Sequence, residues 1–213
     1  MPKVSDEHKE LRIQQILLAA SAVFKSKGYE RATLKDIVEE AGMSRGWIYL
    51  YFKDKTTIFL ALIDYLDAQL EERISTLLKE NKGTAYGALI SYFQETSQSI
   101  DRLEDSVVPA IYEFCTTGWR EQRVRDYFEK RYIRVTAIFI NVISKGVENG
   151  EFKPTRSVDE IVKYMISSLD GIMLHSLAFG SQQINAVQQV NLLINQLMEM
   201  LSVNFLKIME KNS

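Results

Sequence analysis

The feature that most constrains this chain is how rarely it is interrupted. It has three prolines, Pro2, Pro109 and Pro154, and none between the first two. Ten glycines complete the punctuation of 213 residues. Sheet-rich domains turn every ~8–12 residues and spend both residue types doing so, so this shortage argues for long helices. The apolar pattern agrees. From Lys9 to Lys27 the residues Leu11, Ile13, Ile16, Leu17, Ala20, Val23 and Phe24 recur at spacings of three and four, the signature of an amphipathic helix. The expected class is all-α, with an N-terminal three-helix part and a C-terminal helical part.

The glycines then mark joints. Gly28 is placed to stop the first helix. Thr33-Leu34-Lys35-Asp36 reads as a capping box opening a short helix that ends at Gly42. Ala41-Gly42-Met43 is a tight turn of helix-turn-helix length, and Ser44 can cap a second short helix from Arg45 to Phe52. Longer helices are predicted from Thr56 to Lys79, from Gly83-Thr84 to Asp101, and from Arg120 to Glu148. A shorter one, capped by Asp105 or Ser106, tolerates Pro109 in its early turns. Ser157 to Glu160 is a second capping box, opening a helix to Phe179. Gly180-Ser181 starts the last helix, expected to run to about Glu210.

Apolar residues make up 46% of the chain and charged residues 25%, which is ordinary for a globular protein of one or two domains. The single cysteine, Cys115, excludes a disulfide framework and a cysteine-rich zinc module. No apolar run approaches the roughly 18 residues of a membrane span. The start, Met1 to Glu7, is charged and lacks a signal-peptide core. A cytoplasmic chain with no membrane partner is the expectation. Enzymatic chemistry finds no footing either. His8 and His175 have no metal-ligand spacing, Cys115 has no partnering histidine pattern, and no phosphate-cradling glycine loop occurs. No metal, no cofactor and no catalytic residue are expected.

The net charge of −2 argues by itself against nucleic acid. Its distribution argues less strongly. Residues 1–55 carry ten Lys and Arg against eight Asp and Glu, and the remaining 158 carry sixteen against twenty. The basic surplus lies where the short helices lie.

Function becomes specific between Thr33 and Lys55, in TLKDIVEEAGMSRGWIYLYFKDK. A helix of seven or eight residues does not persist unless it is packed. Ile48 and Phe52 share the face that can pack, which leaves Arg45, Trp47, Tyr49 and Tyr51 on others. Such a segment offers a major groove an arginine for guanine edges and aromatic rings for thymine methyls. Ser44 and the backbone N–H groups beside it suit a phosphate. The bland alternative is that Tyr49 and Tyr51 are amphipathic core residues with wet hydroxyls and that Lys53 and Lys55 are solvated charges.

These residues resemble the TetR family of bacterial transcriptional regulators across roughly residues 9–65. The match is carried by ILLAASAVFKSKGYERAT, the Gly28-Tyr29 pair, the Ala41-Gly42 turn, Ser44-x-Gly46, Ile48-Tyr49-x-Tyr51-Phe52 and Lys53-x-Lys55. The resemblance implies a DNA-binding domain over 9–69 and an effector-binding and dimerisation domain over 70–213. It implies that Thr33 holds a phosphate, with Lys35 nearby on phosphate or a base edge. It places Ser44, Arg45 and Gly46 at the head of the recognition helix, Gly46 allowing close backbone approach. Tyr49 would reach phosphate and base, Tyr51 phosphate, and Lys55 a further phosphate. Trp47 and Leu50 depart from the usual family pattern. Trp47 either packs on sugar or a thymine methyl or covers the domain core, and Leu50 reads as structural.

For the remainder the resemblance implies a helical ligand cavity and a homodimer through the last two helices. The sequence supports the second independently, because both helices are apolar over a wide arc and need two partners. Candidate effector contacts are Phe93, Tyr112, Cys115, Trp119, Tyr132, Phe139, Met165, Asp170 and Met173. They either line a pocket or fill an ordinary helical core. The whole reads as a regulator, most simply a repressor, that binds a pseudo-palindromic operator in double-stranded DNA as a dimer. A small hydrophobic or amphipathic effector would release it. The rival is a helical small-molecule sensor or carrier that does not bind DNA.

Overall fold

The structure is a computed structural model that describes residues 6–212. The charged start at residues 1–5 lies outside the described residues. Among the described residues ten α-helices follow one another: α1 (Asp6–Arg31), α2 (Leu34–Ala41), α3 (Arg45–Tyr49), α4 (Lys55–Glu80), α5 (Ala85–Ser99), α6 (Val108–Gly118), α7 (Gln122–Glu148), α8 (Val158–Phe179), α9 (Ala186–Leu201) and α10 (Phe205–Asn212). A 3₁₀ segment, Ile100–Asp105, joins α5 to α6. No strand occurs among the described residues.

The chain forms two compact units, and the division is not a single cut. Of the described residues, one holds those up to 68 together with 104–119; the other holds 69–103 together with those from 120 onward. Helix α6 therefore packs with the N-terminal helices, chiefly α1.

In the first unit α1 buries Ile16, Leu17, Ala20, Val23 and Phe24, the stripe its spacing predicts. Leu11 does not belong to that stripe. It is 54% exposed, and Leu18 one heptad later is 56% exposed, because both project from the opposite side of the helix. The helix also continues past Lys27. Its backbone breaks at Gly28 (φ 72°, ψ 177°) and resumes as far as Arg31. Helix α4 begins with a reciprocal cap: Thr57 N–H donates to Asp54 Oδ1 at 2.7 Å, and Asp54 N–H donates to Thr57 Oγ1 at 3.1 Å.

In the second unit a continuous core joins five helices. Ile74 and Leu77 of α4, Leu89 and Phe93 of α5, Phe139 and Ile143 of α7, Val162 and Met165 of α8, and Leu193 and Leu197 of α9 belong to it. The last helix departs from expectation at both ends. Residues 181–185 form turns rather than helix, and α9 stops at Leu201, with Ser202 in the left-handed region (φ 45°). The cause is the connection after α7. Lys153 and Thr155 donate their N–H groups to the carbonyls of Leu201 and Met200, both at 2.8 Å, and Asn204 N–H donates to Glu151 O. The end of α9 is capped from outside, and α10 starts anew. Glu151 is fully buried, and its Oε2 accepts the N–H of Tyr86 in the first turn of α5. An otherwise unpaired donor at that helix start is thereby satisfied.

Candidate nucleic-acid interface

The turn between α2 and α3 is built by local caps. Thr33 Oγ1 accepts from Asp36 N–H at 3.2 Å, and Asp36 Oδ2 accepts from both the N–H and the hydroxyl of Thr33 at 2.9 Å. Lys27 of α1 adds an ion pair to Asp36 at 2.8 Å. That ammonium, helped by the two Thr33 donors, draws the Asp36 carboxyl down to about 2. Gly42 closes α2 in the left-handed conformation (φ 61°), which glycine adopts without a Cβ penalty. Ser44 then caps α3 by accepting from Trp47 N–H at 3.4 Å.

Helix α3 has five residues and buries one of them. Ile48 is fully buried, which contributes about 1.5–3 kcal/mol relative to leaving it in water. Arg45, Gly46, Trp47 and Tyr49 are exposed, as is Leu50 just beyond, at 73%. The expectation that Leu50 is structural therefore fails, because the inward-facing position is taken by Ile48. The exposed side chains are ordered by one another. Arg45 lies 5.5 Å over the ring of Tyr49 and donates to its hydroxyl at 3.2 Å. Arg12 of α1 lies 5.8 Å over the indole of Trp47, so Trp47 neither fills the core nor stands alone. A Cβ added to Gly46 would meet nothing within 4 Å, so nothing inside the chain requires a glycine there.

The flanking candidates differ in availability. Lys35 is exposed and makes only a surface ion pair with Glu39 at 3.6 Å, an interaction worth little against solvent. Tyr51 is half-buried. Both the hydroxyl and the N–H of Thr33 are engaged by Asp36, which leaves its cap rather than its free side chain facing any phosphate. Lys55 is the most committed. Its ammonium donates to Tyr29 O at 2.7 Å and Glu30 O at 3.3 Å and lies 4.3 Å from the Tyr29 ring centre. One of its three N–H donors remains for another acceptor. Arg12, the Asp54 cap and the contacts around Tyr29 escaped the sequence reading. The Asp54-x-x-Thr57 spacing was a legible signal for the cap; Arg12 over Trp47 had none.

The effector candidates divide between the two units. Tyr112, Cys115 and Trp119 lie in the first unit; Cys115 is half-buried and Trp119 is 51% exposed. The other six lie in the second. Phe93, Phe139 and Met165 are buried in its core, Met173 packs against that core, and Tyr132 and Asp170 are exposed. Tyr92 belongs with this second group, its ring 5.5 Å from Phe93 and 5.2 Å from Phe139. Loss of water around its hydroxyl, opposed by a Thr96 hydrogen bond and reinforced by the Asp170 charge, pushes it up to about 12.

Helices α8 and α9 leave a different kind of surface. Tyr164, Leu174, Phe179 and Leu192 are 41–63% exposed. Between the helices runs a groove of about 400 Å³ lined by Ser167, Gly171, His175, Leu192 and Gln196 among others. Tyr164 donates across it to Gln196.

Comparison with known proteins gives a consistent answer. Residues 16–62 match the description "Bacterial regulatory proteins, tetR family", and residues 88–187 match "Tetracyclin repressor-like, C-terminal domain". The uncharacterised HTH-type transcriptional regulator YfiR of Bacillus subtilis (strain 168) is 36% identical over 183 residues, 85% of this chain and 88% of that one. Among solved structures, reduced Escherichia coli NemR aligns with a TM-score of 0.72 at 14% identity, covering 91% of this chain and 99% of that one. Bacillus subtilis FadR in complex with stearoyl-CoA aligns with a TM-score of 0.65 at 23% identity, covering 86% and 96%. No helix among the described residues is long and apolar enough to cross a membrane.

Proposed function

The chain belongs to the TetR family of bacterial regulatory proteins, a family of DNA-binding transcriptional regulators, and from that premise we propose how it works. It acts as a homodimeric repressor that reads a pseudo-palindromic operator through α3. The observation that carries this reading is the outward face of α3, where arginine, glycine, tryptophan and tyrosine are exposed around a single buried isoleucine. Arg45 is the guanine reader, Trp47 and Tyr49 supply rings for thymine methyls and sugars, and the open space at Gly46 lets the backbone approach the groove. Thr33, Lys35, Ser44, Tyr51 and Lys55 supply phosphate contacts that fix register rather than sequence. Copies of the chain pair through α8 and α9, whose apolar residues are exposed on a single chain. Two recognition helices then lie about 34–36 Å apart, one turn of DNA.

The effector is small and hydrophobic or amphipathic, in keeping with the apolar and aromatic side chains of Phe93, Phe139, Met165 and Met173 gathered in and against the second unit's core and with the stearoyl-CoA held by the FadR structure. Release requires that it bind the DNA-free geometry more tightly than the DNA-bound one. Helix α4 is continuous from Lys55 into the second unit and is the covalent route for that coupling.

A mobility-shift assay on DNA from upstream of the chain's own gene, at several salt concentrations, tests the reading. Selective binding is expected, and Arg45→Ala with Tyr49→Ala should weaken it at least ~100-fold, since a good base contact carries about 1–3 kcal/mol. Absence of selective binding overturns it and leaves a sensor without DNA binding; selective binding indifferent to the double substitution overturns the assignment of readout to α3. Native mass spectrometry of the purified protein should reveal a co-purifying small molecule.

A further inference from the structure

The break at Gly28 is held by a residue 84 positions beyond Tyr29. Just past the backbone break in α1, the N–H groups of Tyr29 and Glu30 donate to the two carboxylate oxygens of Glu113 on α6, at 2.6 and 3.2 Å. The carbonyls of the same two residues accept from the Lys55 ammonium at the start of α4. One short stretch of backbone is thus clamped by a carboxylate on its donors and a cation on its acceptors. Both contacts are charge-assisted and stronger than neutral ones. Thr117, one turn after Glu113, donates to Glu30 Oε1 at 3.2 Å.

The side chain of Tyr29 makes the same three-way junction. Its ring lies 4.8 Å from Phe59 of α4 and 4.5 Å from Phe114 of α6, and its hydroxyl meets Thr56 Oγ1 at 2.8 Å. Gly28 leaves room for the carboxylate: a Cβ there would sit 2.6 Å from Glu113 Oε2, and φ of +72° disfavours any other residue. Just upstream, Lys27 holds α2 through Asp36. The Lys27–Asp36 ion pair, one of the contacts that orient α2 from α1, therefore lies next to this clamp.

We infer that Glu113 is a positioning residue for DNA binding, and that α6 belongs to the DNA-binding machinery although the chain reaches it only after α5. By fixing the break at Gly28, the carboxylate sets the angle at which α1 and the start of α4 present α3. Helix α6 is flanked along the chain by second-unit residues at both ends, Leu103 and Arg120, so the clamp also ties the DNA-binding helices to the segment in which effector candidates Tyr112 and Cys115 lie. This inference rests on the DNA-binding reading above.

The test measures affinity of the full-length protein for the promoter fragment that wild type binds, well below the melting temperature, with folding checked by circular dichroism. Glu113→Ala should weaken binding at least ~10-fold with an unchanged salt slope, because geometry is lost and no phosphate contact is. Glu113→Gln, with a single acceptor oxygen, should fall between. Gly28→Ala attacks the clamp from the other side, and its effect should shrink when combined with Glu113→Ala. If Glu113→Ala does not fold, the Gln and Gly28 variants decide the matter. Folded variants that bind like wild type, or that lose affinity together with salt slope, overturn the inference. A wild type that binds no promoter DNA overturns the DNA-binding reading instead, before any variant is compared.

Discussion

Two surfaces of this molecule expose apolar and aromatic side chains, and they keep different company. On α3, Trp47 and Tyr49 stand beside Arg45, with Arg12 over the indole. On α8 and α9, Tyr164, Leu174 and Leu192 stand beside Ser167, Gly171, His175 and Gln196. Exposure alone would make both simply sticky. Cations among rings suit a polyanion with flat bases, whereas rings and leucines among uncharged residues suit a second copy of the same surface. The difference in neighbours, not in hydrophobicity, is what separates the proposed nucleic-acid face from the proposed subunit face.

That contrast can be broken from either side. The largest expected effect is at the subunit face. Leu192→Asp should leave the fold intact, since the side chain is 61% exposed, yet give a monomer by sedimentation and cut operator affinity by about a thousandfold as avidity is lost. A variant that stays dimeric would remove α9 from the interface. Next comes the interior of α3. Ile48→Ala should lower stability by about 2–5 kcal/mol in chemical denaturation, whereas Leu50→Ala, two residues on and 73% exposed, should change it by at most ~0.5 kcal/mol.

Gly46→Ala separates fold from function on the DNA face. With open space around it and a helical backbone, alanine should raise stability by up to ~1 kcal/mol while weakening DNA binding about tenfold. Unchanged affinity would mean that no groove approaches that backbone. The smallest effect concerns acid. Asp36 is held down to about 2 by Lys27 and Thr33, so the folded carboxylate outlasts the unfolded one. Its contribution is fully present above pH ~4 and lost as pH falls through about 2. A carboxyl-detected NMR titration should show Asp36 as a late-protonating group, and Lys27→Ala should move it back toward the ordinary range.

The sequence was most legible where structure is local. The Thr33 and Ser157 capping boxes, the Gly42 turn and the burial of Ile48 all follow from residues within a turn of one another. It was least legible where a distant backbone intervenes. Nothing near Leu201 announces the end of α9, because the capping N–H groups come from Lys153 and Thr155. Leu11 was placed on the buried stripe because it is apolar, and the turn of the helix carried it to the other side. Among the effector candidates, side-chain type puts Trp119 and Met165 in one set, and packing leaves the first half exposed and the second in the core.

What the sequence alone determined is the class and the headpiece. Few breaks and a regular apolar period force helices, and one run of 23 residues from Thr33 to Lys55 carries its own caps, turn and exposed reading face. What only the tertiary structure decided is membership. Helix α6 joins the N-terminal helices, Lys55 is drawn onto the backbone of Tyr29 and Glu30, and Glu113 closes the same break from the other side. The reason is physical. A helix cap is a contact across three residues and is written in their identities, while a carboxylate that reaches backbone N–H groups 83 and 84 residues away is specified only by how the helices pack.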